Sequence, residues 1–131
     1  MLRSIGAVVA GYLVIAIAIM VLFFIAFPDR NVVPSQGFML FSLVYGFIFG
    51  VLGGYVCGLI AGQSEVKHAA AIAVIGIILS LVSMAFAAAK EPMWYQLANM
   101  VVLTAAVLIG GWLRACQKSK PAAAAQTPGQ P

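Results

Sequence analysis

The residues able to do chemistry in this chain are few, and their placement excludes more than it allows. Asp29, Glu65 and Glu91 are the only carboxylates, and they fall in three separate connectors between apolar stretches. Paired acids that share a proton or hold a cation must converge on one site, which this spacing does not provide. His68 is the only histidine, too few for a multi-ligand metal site. No apolar stretch contains the Ser–His pair or paired Asp residues of an intramembrane hydrolase. No glycine-rich phosphate loop with a following lysine is present. Cys57 lies inside an apolar stretch and reads as a small packing residue, and Cys116 as a free thiol just beyond another. The expectation is a protein that is not an enzyme and carries no cofactor, no catalytic residue and no metal.

What remains is polar or small rather than ionisable. Gly46, Gly50, Gly54, Gly58 and Gly62 recur every fourth residue, with Ser42 extending the row. On a helix such a row leaves a bare stripe where another backbone can come close, and this is how helices associate in lipid. The row drifts slowly around the helix, because four residues turn about 40° beyond one revolution. The third apolar stretch offers Ala69, Ala73, Gly76 and Ser80 as a facing surface, and the first offers Gly6, Ala7, Ala10 and Gly11. Packing within the chain is the leading reading of the stripe. A seam between copies, or the lining of a pore, is the alternative. A second group, Ser42, Tyr45, Ser83, Gln96 and Asn99, falls at similar depth and forms a candidate outer polar cluster. Such side chains more commonly bond helix to helix than bind a solute.

The elements that must carry these residues follow from composition. Hydrophobic residues make up 64% of the 131 and charged residues 8%, whereas a soluble domain carries roughly 25% charged. Stretches 5–27, 38–61, 69–89 and 94–113 each reach the about 20 apolar residues needed for one helical crossing. None contains Asp, Glu, Lys, Arg or His. The expected fold is therefore an all-α integral membrane four-helix bundle, antiparallel and up-down, over residues 1–113. Residues 114–131, rich in Ala, Pro, Gln and Lys, are expected to be a disordered cytoplasmic tail. Arg3 and the small-x-small triplet Ala16-Ile17-Ala18 have the outline of a cleavable signal. The apolar run continues well past that triplet, so the first stretch is read as a retained helix.

Arg3, Lys67, Arg114, Lys118 and Lys120 collect on one side of this arrangement, against Arg30 and Lys90 on the other. That bias places both termini in the cytoplasm. It also accounts for the net charge of +4 without a nucleic-acid partner, weak attraction to anionic lipid being sufficient. Trp94 and Tyr95 at one boundary and Trp112 at the other follow the aromatic belts of membrane proteins. Val51-Leu52-Gly53-Gly54-Tyr55 is echoed by Leu108-Ile109-Gly110-Gly111-Trp112, as two hairpins of one orientation would require.

Gly53-Gly54-Tyr55, Ile60-Ala61-Gly62, His68-Ala69, Trp94-Tyr95 and Gly110-Gly111-Trp112-Leu113-Arg114 together resemble a pattern of small uncharacterised bacterial four-span inner-membrane proteins. The resemblance covers most of residues 45–114. It implies a bacterial cytoplasmic membrane and carries over no activity and no functional residues. Small multidrug exporters need a carboxylate in their first helix, and residues 5–27 have none. The function expected is a structural or accessory membrane protein acting through helix contacts. Its partners would be the lipid bilayer and a second copy or another membrane protein; a small passive channel or carrier is the alternative. The chain should stay in the membrane pellet after alkaline carbonate washing and leave it only with detergent, as immunoblotting of the fractions would report.

Overall fold

A computed structural model describes residues 2–26, 34–86 and 92–124. They form four α-helices, α1 (Leu2–Ala26), α2 (Gln36–Ala61), α3 (Glu65–Phe86) and α4 (Met93–Ala124), with no strand among the described residues. The shortest, α3, has 22 residues, or about 33 Å at 1.5 Å per residue, against a hydrocarbon core about 30 Å thick. All four are long and apolar enough to cross a membrane.

The helix ends are written in local chemistry. Ser35 caps α2, its side chain accepting from the Phe38 amide at 3.4 Å. Gly62 ends α2 in the left-handed region, φ 68°, with its amide bonded to the Gly58 carbonyl. Ser64 follows at φ 53°, and its carbonyl receives the Lys67 and His68 amides at the start of α3. Pro92 precedes α4 and its carbonyl receives the amides of Tyr95 and Gln96. Arg30, Lys90 and most of the two connectors that hold them lie outside the described residues, as do residues 125–131.

One expected boundary differs. The sequence reading ends the fourth crossing at 113 and makes 114–131 a disordered tail, but α4 continues to Ala124. The extension is held to the rest of the bundle. Gln117 accepts from the Tyr55 hydroxyl at 2.8 Å and Lys118 reaches Glu65 at 3.2 Å. These ties supply what low hydrophobicity withholds.

The molecule is inside-out by the standard of a soluble protein. Its central cluster is Ala7, Ile15, Cys57, Ala69, Ile72 and Val107, mostly small side chains. Large apolar residues face outward, as Phe24 does at 80% exposed. Lipid tails solvate such residues as well as a core would, so nothing drives them inward, and small residues at the seams let backbones meet.

Helix α2 is the centre, packed along α4 on one side and α1 on the other, while α3 lies mainly on α4. Two consecutive glycines divide this work, because neighbouring helical positions point about 100° apart. A Cβ on Gly53 would strike Ile15 and the Gly11 carbonyl of α1, at 2.6 and 2.9 Å. A Cβ on Gly54 would fall on the Val107 carbonyl of α4. The second pair behaves alike: Gly110 faces the Val51 carbonyl of α2, and Gly111 faces Ala69 of α3 at 2.5 Å. The two echoed motifs are thus two double seams. Gly54→Ala and Gly110→Ala should each lower bundle stability by about 1–3 kcal/mol through overpacking. Gly76→Ala, with nothing within 4 Å of its Cβ position, should be neutral or stabilising by about 0.5–1 kcal/mol. Thermal unfolding in one detergent would rank the three.

Candidate functional site

The α2–α4 seam brings together most of the residues singled out in the sequence. Ser42 meets Tyr95, Gly46 meets Asn99, Gly50 meets Leu103 and Gly54 meets Val107, every pair 53 residues apart. A constant separation means that α2 and α4 run in the same direction in register. Gly50 lies against Leu103 and Ala106, a Cβ there falling 2.8 Å from that of Ala106. Gly58 lies under the stem of Arg114, at 3.0 Å from its Cγ. Gly62 is instead the terminating residue of α2, so it belongs to the turn rather than to the seam. The facing surface is α4. Of the two nominated in the sequence, α3 meets α4 at Gly111, and α1 meets α2 through Gly11 against the Gly53 and Cys57 face.

The outer polar residues divide among several surroundings. Ser42 is buried, donates to the Met39 carbonyl at 2.8 Å, and shares a 2.5 Å hydrogen bond with the Tyr95 hydroxyl. Tyr45 turns to α1, donating to the Ala18 carbonyl at 3.1 Å and lying 4.5 Å from the Phe49 ring centre. Asn99 stays beside Gly46, its Oδ1 3.7 Å from that glycine's Cβ position, and Gln96 is half-buried. Ser83 is exposed on α3. Ser42, Tyr95 and Asn99 thus belong to one seam, while Tyr45 and Ser83 serve other faces.

Tyr95 is the residue that sequence reasoning placed differently. Beside Trp94 it reads as a boundary aromatic, yet Trp94 is 48% exposed and Tyr95 only 5%. Adjacent helical positions diverge by about 100°, so one ring can face lipid while its neighbour enters the bundle. Nothing in the sequence marked it, because the 53-residue offset from Ser42 emerges only once α4 is seen to face α2.

At the other end, the charged groups gather on the turn between α2 and α3. Arg3 Nε donates to the Ile60 carbonyl at 3.0 Å, and its Nη2 lies 3.3 Å from the Gly62 Cβ position. Lys118 Nζ donates to the Gly62 carbonyl and, at 3.2 Å, to Glu65. Both cations therefore serve the last carbonyls of α2, the negative end of that helix. His68 Nδ1 lies 3.0 Å from the Ser64 carbonyl, which requires the proton on that nitrogen. It belongs to the turn as a local cap.

Between α1, α3 and α4 lies a crevice with about 330 Å³ of empty space including its open side. Tyr12, Ser80 and Thr104 contribute hydroxyls to an otherwise apolar lining that includes Ile72, Gly76 and Met100. Helices α1 and α4 make no close backbone approach among the described residues, which leaves the space. No described group of three or more His, Cys, Asp or Glu could hold a metal.

No family model, curated protein or solved structure matches this chain. The reading therefore rests on the helices themselves. Tyr95→Phe and Ser42→Ala should each destabilise the bundle by about 0.6 kcal/mol, the usual worth of an interhelical hydrogen bond in a membrane. A double-mutant cycle followed by thermal unfolding should return a coupling of similar size.

Proposed function

We propose that this chain is a non-enzymatic multi-pass protein of a bacterial cytoplasmic membrane, with a structural or accessory role exercised through helix packing. Its helices would form an antiparallel up-down bundle with both termini cytoplasmic, the orientation that five Lys and Arg residues against two favour. One observation carries the reading: the glycine row is spent within the chain, with Gly50, Gly54 and Gly58 covered by Leu103, Ala106, Val107 and Arg114. A stripe consumed in this way neither lines a pore nor stays open for a second copy. What the bundle offers to other membrane proteins is then its outward apolar surface.

Charged side chains within spans ordinarily mark ion and proton pathways, and these four stretches hold no Asp, Glu, Lys, Arg or His. Coupling to protons or sodium has no residue to act through. The second reading, a small passive channel or carrier built as a homo-oligomer, is favoured by the crevice with its Tyr12, Ser80 and Thr104 hydroxyls. In that case the seam between α1, α3 and α4 would be the working surface.

The mass of the purified protein in nanodiscs, combined with solute and ion flux into reconstituted vesicles, separates the two. A monomer with silent vesicles is the expected result. An oligomer whose flux is abolished by Gly76→Leu, which fills the crevice from an unobstructed position, would replace the accessory reading with the carrier. Sidedness is tested by labelling Cys116 in a Cys57→Ala background with an impermeant maleimide. Intact cells should leave it unmodified and inverted vesicles should label it.

A further inference from the structure

We propose that the α2–α3 turn, flanked by Arg3, Arg114 and Lys118, is a docking site for the phosphate of an anionic phospholipid. Three cations from opposite ends of the chain converge on residues 58–65, where the only carboxylate is Glu65. Lys118 is committed to Glu65 and to the Gly62 carbonyl. Arg3 commits only Nε, to Ile60, so its two Nη groups keep their N–H donors beside Gly62, and the side chain is exposed. Arg114 lays its aliphatic stem on Gly58, and its guanidinium attracts the Glu65 carboxylate without a hydrogen bond to it, that bond being made by Lys118. Two guanidiniums with donors to spare thus frame a turn that retains a surplus of positive charge.

A guanidinium presents a planar fork that matches phosphate oxygens in a two-bond geometry. The depth also fits. Arg3 is the second residue of α1, Gly62 the last-turn cap of α2, and Glu65 the first residue of α3. All sit where apolar helix gives way to polar chain. Trp112, 58% exposed on the turn of α4 just before Arg114, is the kind of ring that settles at headgroup level. A free phosphate offers the same chemistry, but the lipid's phosphate is already held at this depth, so the lipid is the occupant assigned. Net positive charge selects anionic over zwitterionic headgroups, each nearby cation adding to the attraction. Gly62 matters because a side chain there would meet Arg3 Nη2.

The experiment uses the full chain in mild detergent, titrated separately with phosphatidylglycerol, phosphatidylcholine and inorganic phosphate. Bound lipid is counted by native mass spectrometry and stability is followed by thermal unfolding. Phosphatidylglycerol should be retained and should raise the melting temperature, while phosphatidylcholine and inorganic phosphate should do neither. Arg3→Gln combined with Arg114→Gln should weaken phosphatidylglycerol retention roughly tenfold or more, at about 1 kcal/mol per cation. Arg3→Lys with Arg114→Lys should restore only part of it, since an ammonium keeps the charge and lacks the two-bond fork. Arg114→Gln alone serves if the double variant fails to fold, since Glu65 keeps its hydrogen bond to Lys118. Lys120→Gln, an exposed cation on the α4 extension beyond Lys118, should leave retention unchanged. Equal retention of the two lipids, equal loss in the Lys120 variant, or matching stabilisation by inorganic phosphate would each overturn the assignment.

Discussion

The structure depends on one reciprocal backbone contact between α2 and α4. The Val107 carbonyl occupies the space where Gly54 lacks a side chain, and the Val51 carbonyl does the same at Gly110. Each carbonyl oxygen is thereby aimed at the α-hydrogens of a glycine, a contact worth about 0.5–1 kcal/mol that recurs where helices come very close. In lipid, where burial of apolar surface contributes no net driving force between helices, such contacts and dispersion across a tight seam carry the association. The other seams follow from this one. With α2 pressed on α4, Gly53 is turned toward α1, and Gly111 toward α3.

The four crossings are legible in the sequence because length and apolarity are properties of each segment alone. The existence of a close-approach surface on α2 is equally legible, since a four-residue glycine period has few other uses. Its partner is not. The facing line on α4 is Tyr95, Asn99, Leu103 and Val107, joined only near its end by Gly110, so no small-residue row marks α4 as the partner. What meets Gly54 is a carbonyl, a group that every residue carries and no sequence marks. The small residues of α1 and α3 attracted the expectation because side-chain size is the only readable signal.

The polar groups teach a related lesson. Depth along a helix can be counted from the sequence, and on that basis Ser42, Tyr45, Ser83, Gln96 and Asn99 form one layer. Azimuth cannot be counted without knowing which face each neighbour covers. Thus Tyr45 serves α1, Ser42 serves α4, and Ser83 is exposed. The end of α4 shows the same limit in another form. Its last turns are polar and would read as tail, but tertiary bonds from Gln117 to Tyr55 and from Lys118 to Glu65 hold them as helix.

The tightest seam joins segments 53 residues apart, with all of α3 between them. A chain made from its N-terminus releases domains in that order, so α2 enters the bilayer before its partner has left the ribosome. During that interval the bare row of α2 is open to whatever helix is near, and α1 closes only the Gly53 side. The seam through Gly50, Gly54 and Gly58 can therefore close only once α4 follows α3 into the bundle.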